Sequence, residues 1–139
     1  MVNQIMNSNN TPVIVAGDFN TPSDEDWIDR NRAQHFGLEV QWPTTKLLKT
    51  TGMRDSFRVV HPDPVTNPGI TWPVFDRKQY EQRVDKQQEV KDRIDFIFYH
   101  GTIRPISSAT YKGSDPIGKR FEHKENKWPS DHYAVITDF

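Results

Sequence analysis

The sequence contains no cysteine, which excludes disulfides and thiolate metal sites but leaves the compartment open. Apolar residues are also scarce. Hydrophobic residues make up 34% of the 139, mean hydropathy is -0.82, and no apolar run approaches the roughly 20 residues of a membrane span. Met1–Asn10 is polar rather than like a signal peptide. Nor does one sign of charge dominate: 18 Lys and Arg against 19 Asp and Glu leave a net charge of -1. No global basic field is present to recruit nucleic acid, so a polyanionic substrate would be held by local groups or by metal ions.

What is present argues for a folded chain. Aromatic residues are 12%, with 4 Trp and 8 Phe, and charged residues are 27%, which is not the composition of a disordered segment. The length suits one domain, able to bury roughly two-thirds of its unfolded surface. An apolar share this lean points to long polar loops or to a core that is partly absent.

The stretch "VIVAGDFN", Val13 to Asn20, runs four apolar residues into Gly-Asp-Phe-Asn. Val13–Ala16 reads as a buried strand of the kind covered on both faces. Thr21-Pro22-Ser23 breaks it. Ser23 followed by Asp26 resembles a capping box, and "DEDWIDRNRAQHF" reads as a short helix with acids in its first turn. "TTKLLKT", Thr44–Thr50, is a second short helix, ended at Gly52. Four prolines between Val60 and Pro73 predict a loop around a brief "GITW" strand. Lys78–Asp92 is polar and mixed in charge, a solvated loop or surface helix. "RIDFIFYHG" alternates Ile94/Phe96/Phe98 against Asp95/Ile97/Tyr99, as a strand with two differing faces should. Ile103–Tyr111 and Tyr133–Phe139 are further strands. "MVNQIMNSNN" reads as the last turns of a helix, so the chain is expected to begin mid-domain.

Three acids lie at strand ends: Asp18 in "GDFN", Asp95 in "RIDFI" and Asp131 in "WPSDHYAV". An ionised carboxylate there is costly unless it is paired or meets a cation. Three such acids converging with His132 would make a hard oxygen site suited to Mg²⁺ or Mn²⁺. Asn20 would offer an uncharged donor to a phosphoryl oxygen, and His132, held by a neighbouring carboxylate, a donor to developing charge. Taken singly, each motif has a plainer reading. "GDFN" could be a turn whose Asp and Asn cap their own backbone, "RID" an Arg–Asp pair, and "SDH" an N-cap or turn.

Taken together and in order, "GDFN", "TW", "RIDFI" and "SDHYAV" resemble the endonuclease/exonuclease/phosphatase superfamily, which includes pancreatic deoxyribonucleases, apurinic endonucleases, neutral sphingomyelinases and inositol polyphosphate 5-phosphatases. The resemblance covers almost the whole chain but only the C-terminal half of the family's domain. It implies an α/β fold, the C-terminal half of a four-layer α/β sandwich, with one mixed, largely antiparallel sheet and covering helices. By this resemblance Asp18 orients or deprotonates the attacking water and also serves the metal site, and Asn20 contacts the phosphate. Asp95 pairs with the catalytic His132, and Asp131 is an acid of the metal site. Thr71-Trp72 matches a "TW"-like segment whose aromatic lines the cleft, although core packing explains Trp72 as well. Ser130 sets the turn.

The family also carries an Asn, a metal-binding Glu and a phosphate-contacting His or Tyr upstream of the "GDFN" strand, and only Met1–Gly17 precede Asp18 here. The expectation is therefore a Mg²⁺- or Mn²⁺-dependent phosphoesterase of which this chain is an inactive or nearly inactive half. It would bind metal weakly and cover its sheet face with the N-terminal half of the domain or by forming a homodimer. The expected substrate is a phosphate ester, and a small molecule or lipid head group fits the charge better than duplex nucleic acid.

Lys119, Arg120, His123, Lys124 and Lys127 form a basic stretch that is either a solvated loop or a phosphate-facing rim, Lys127 being the nearest to "WPSDH". His35, His61 and His100 read mostly as surface residues, and Trp27 and Trp42 as packing residues. The non-enzymatic alternative is a binding or interaction module derived from the same fold. A calcium-binding structural domain is weaker, because no EF-hand spacing of oxygen ligands occurs.

Overall fold

A computed structural model describes residues 11–73, 90–111 and 130–139. The helical start expected for Met1–Asn10, most of the polar segment from Lys78, and the basic stretch with Lys127 lie outside the described residues. Strand β1 is Val13–Asp18, β2 is Arg54–Asp55, β3 is Asp95–His100, β4 is Ser107–Tyr111 and β5 is Ala134–Asp138. Helix α1 is Pro43–Thr50 and α2 is Ser56–Val60, while Asp29–Gln34 forms a 3-10 helix. Among the described residues no helix is long and apolar enough to cross a membrane.

Where one mixed, largely antiparallel sheet is expected, the strands among the described residues form two antiparallel sheets, β1-β3-β2 and the pair β4-β5. The first is narrow on its β2 side because β2 has only two residues. There the Asp55 side chain accepts the Phe57 N–H, which caps and starts α2. In the other direction, among the described residues, β1 pairs only with β3. Nor is the apolar run "VIVA" covered on both faces: Ile14 is 53% exposed, and Ile136 of β5 is 49% exposed.

The alternation read in "RIDFIFYHG" is realised on β3. Phe96 and Phe98 are buried with Leu48 of α1 and Met53, and Val13, Val15 and Phe19 pack against them. Phe19 meets both rings edge-on at 5.5 and 5.7 Å, the geometry aromatic quadrupoles favour. Helix α1 begins with Pro43 in its first turn, where a missing N–H costs nothing. Beyond Thr51, Gly52 takes a φ of +82°, as the expected helix stop requires.

The helix read in "DEDWIDRNRAQHF" shortens to the six residues of the 3-10 helix. Ser23 Oγ accepts the Glu25 N–H, but Asp26 does not close a capping box. Its carboxylate is taken by arginines from elsewhere: Arg93 Nε at 2.9 Å and Arg58 Nε at 2.7 Å. "GITW" reduces to a single bridge between Trp72 and Asp92.

Arg93 is the centre of a buried cluster. It is 2% exposed, bonded to Asp26 and Asp55, and lies between the Phe57 and Phe96 rings. Burial acts against its charge, but Asp55 and Asp26 more than offset this and hold the guanidinium above its ordinary value. Arg58 completes the cluster, donating to the carbonyls of His61, Asn67 and Pro68. That proline-rich loop packs so closely that a Cβ on Gly69 would lie 2.3 Å from the Phe57 ring.

Candidate active site

Asp18 and Asp95 meet because of strand register. Antiparallel pairing of β1 with β3 places Asp18 directly opposite Asp95, and Phe19 N–H donating to the Ile94 carbonyl at 2.9 Å extends the ladder past them. Like charges opposite one another on neighbouring strands repel, so the pair favours a positively charged neighbour. His132 supplies an imidazole. Its Nδ1 lies 2.9 Å from Asp95 Oδ2, and donor atoms of Asp18, Asp95 and His132 all lie within 4.8 Å of one another.

Local chemistry aims each group. Asn20 has a φ of +49°, a left-handed conformation that asparagine tolerates better than most residues. Its backbone N–H donates to Asp18 Oδ1 at 2.7 Å. The self-capping turn considered for "GDFN" is thus present, and it fixes the carboxylate at the end of β1. Ser130 Oγ accepts the His132 N–H at 3.0 Å, the turn-setting role read for it. With Asp95 accepting the Nδ1–H, a neutral His132 keeps its lone pair on Nε2. Trp72 stands beside it, ring centroids 6.4 Å apart.

Asp131 does not join the three converging groups. Its side chain is 55% exposed, with Oδ1 4.0 Å from His132 Nε2, so it borders the cluster on the far side of the imidazole from Asp95. The Arg–Asp pairing considered for "RID" does not form between neighbours, because Arg93 turns to Asp26 and Asp55 instead.

Several residues escaped the sequence reading. Thr71, noticed only as part of "TW", is fully buried and bonds to the start of β3. His35, read as surface, is 4% exposed and stacked on Trp27 at 4.4 Å. Burial lowers its pKa. Trp27 Nε1 donates to Asp92 at 2.8 Å, and burial raises the Asp92 carboxyl to about 6 despite that bond. A signal for the first existed: a threonine two residues before a proline, in a segment bridging to the residue just ahead of "RIDFI".

Two carboxylates and an imidazole at the ends of antiparallel strands form a site for acid–base or metal-assisted chemistry. The donor set, oxygen-rich with one nitrogen, fits a hard divalent cation. The chain belongs to the endonuclease/exonuclease/phosphatase family, whose model matches residues 2–132. Members of that family are typically hydrolases, phosphoesterases and nucleases among them, and are generally dependent on a divalent metal. Over 128 residues the chain is 38% identical to an uncharacterized protein of Caenorhabditis elegans, F14F9.5. The aligned part is 92% of this chain and 40% of that protein, so the chain spans about two-fifths of the length of the curated relative it matches. No solved structure matches it.

Proposed function

We propose that this chain is the C-terminal half of a divalent-metal-dependent phosphoesterase that hydrolyses a phosphomonoester or phosphodiester with an activated water. The observation that carries the reading is the convergence of Asp18, Asp95 and His132 within 4.8 Å, with Asp95 bonded to His132 Nδ1. Asp18 orients or deprotonates the attacking water, and the Asn20 carboxamide contacts a phosphoryl oxygen. As the water oxygen bonds to phosphorus, the ester P–O bond breaks and His132, in its doubly protonated form, hands the Nε2 proton to the oxygen that leaves and remains as the Nδ1–H imidazole bonded to Asp95. Asp95 holds the imidazole in the tautomer and orientation this needs, and stabilises its charged form.

Asp18, within the converging cluster, would hold Mg²⁺ or Mn²⁺, and Asp131 would serve that ion from the border of the cluster. When bound, such an ion neutralises charge on the phosphoryl oxygens and acidifies a coordinated water. Trp72 beside the imidazole, with Lys127, serves substrate binding. A small phosphoester or lipid head group suits the near-neutral charge better than duplex nucleic acid. Alone, the chain is inactive or nearly so, and a form extended upstream through the remainder of the domain is the active species.

The test is hydrolysis of bis-p-nitrophenyl phosphate with Mg²⁺ or Mn²⁺ by this chain and by a form extended upstream, each beside its His132→Ala variant. The expected result is activity in the extended form alone, lowered about 10²–10⁴-fold by His132→Ala. An extended form that is folded, metal-loaded and inert toward phosphate esters overturns the phosphoesterase reading. An active 139-residue monomer overturns the half-domain reading.

A further inference from the structure

We infer that Thr71 is the positioning residue of the Asp95–His132 pair. Thr71 is 0% exposed, and its hydroxyl oxygen accepts two backbone N–H groups, from Ile94 at 3.0 Å and Asp95 at 3.1 Å. Its own N–H donates to the Asp92 carbonyl at 3.0 Å, and its carbonyl accepts the Tyr133 N–H at 2.8 Å. One buried residue thus fastens both segments that must meet. Its hydroxyl holds the backbone of Asp95 where β3 begins, and its carbonyl holds the residue next to His132. The 2.9 Å bond between Asp95 and His132 joins positions 37 apart in sequence, and Thr71 belongs to neither segment.

The chemistry requires an oxygen. Removing it leaves one buried and one part-buried amide without this acceptor, a cost the backbone relieves by moving. Asp95 is one of the two residues that would move, and displacement of a reacting constellation by about 1 Å can cost 10²-fold in rate. The β-branch of threonine restricts χ1 and so aims the hydroxyl. Serine keeps the acceptor with a freer rotor, and valine keeps the shape without the acceptor. Thr71 touches no reacting atom in this account. It acts through Asp95, and its role in catalysis rests on the function proposed above.

The experiment compares the 139-residue chain, Thr71→Ser and Thr71→Val, each labelled with ¹⁵N-histidine, by the side-chain NMR shifts that report which ring nitrogen of neutral His132 carries the proton. In the unsubstituted chain and Thr71→Ser, the Nδ1–H form dominates. In Thr71→Val the ratio of Nδ1–H to Nε2–H falls about tenfold or more, the loss expected when a hydrogen bond to a carboxylate is weakened. A folded Thr71→Val chain with an unchanged ratio overturns the inference.

Should Thr71→Val fail to fold, amide exchange in the unsubstituted chain decides. Protection of about a hundredfold or more is expected at both Ile94 and Asp95, and free exchange at either overturns the clamp. In a form that hydrolyses the ester, Thr71→Val lowers kcat about 10–100-fold, with KM within about twofold, and Thr71→Ser recovers most of the loss. Unchanged kcat in Thr71→Val counts against the inference. If no form hydrolyses the ester, the phosphoesterase reading fails while the tautomer ratio still decides the position of Asp95.

Discussion

Arg93 and Asp95 stand two residues apart where one strand begins, and the molecule treats their charges in opposite ways. Arg93 is sealed from water, its guanidinium spread over two carboxylates and two aromatic rings. Asp95 is half-buried, faces a second carboxylate across the ladder, and has an imidazole as partner. The first arrangement is closed: Asp26 also takes Arg58, and Asp55 also caps α2. The second leaves negative charge that protein atoms do not fully match, which is the condition for binding a cation or moving a proton. One region is built to hold a conformation, and the other carries the groups that the proposed reaction would use.

Breaking the closed cluster should have the largest effect. Arg93→Ala leaves Asp26 and Asp55 buried without their shared cation, and should cost about 3–5 kcal/mol in urea unfolding, as removal of one partner from a buried pair does. A loss below about 1 kcal/mol would mean that water reaches these carboxylates. Asp95→Asn is the matching change at the open end. Stability should move by less than about 1 kcal/mol, since the group is half-buried and relieved of repulsion from Asp18. Activity of any hydrolytic form should fall about 10²-fold or more as His132 loses its orientation. The same substitution unfolding the chain would erase the contrast.

The smallest effect is a pH dependence. Asp92 has its carboxyl raised from 3.8 to about 6 in the folded chain, so the folded state holds this proton more tightly than the unfolded one. The contribution of Asp92 to stability is therefore complete at acid pH, and it is lost as pH rises through about 6. Measured as the difference between the chain and Asp92→Asn, stability should favour the parent increasingly as pH falls from about 7 toward 4. A flat difference would mean that the Trp27 bond cancels the effect of burial at this carboxyl.

The parts of the molecule legible in the sequence are those whose causes are local. The alternation of β3, the apolar run of β1 and the stop of α1 at Gly52 need only neighbouring residues, and so do the turns that aim Asp18 and His132. What escaped depends on distant partners. Asp26 reads as a capping acid until Arg58 and Arg93, 32 and 67 residues away, claim it. His35 reads as a surface histidine until Trp27 stacks on it. β2 and α2, of two and five residues, are too short to show a period. Asp131 falls between the two cases. "SDH" placed it beside His132 correctly, but only three-dimensional geometry shows that the other three polar groups converge without it.

The pairing of β1 with β3 also bears on how the chain reaches this state. Asp18 and Asp95 are neighbours across the ladder although most of the described chain lies between them in sequence. Closing so long a segment carries an entropic cost that is met before the contacts form, which makes such topologies slow to fold. During synthesis the "RIDFIFYH" segment must be made and released before β1 can pair with β3. The carboxylate pair therefore forms only when β1 meets β3, and appearance of the site in a refolding experiment would time that docking.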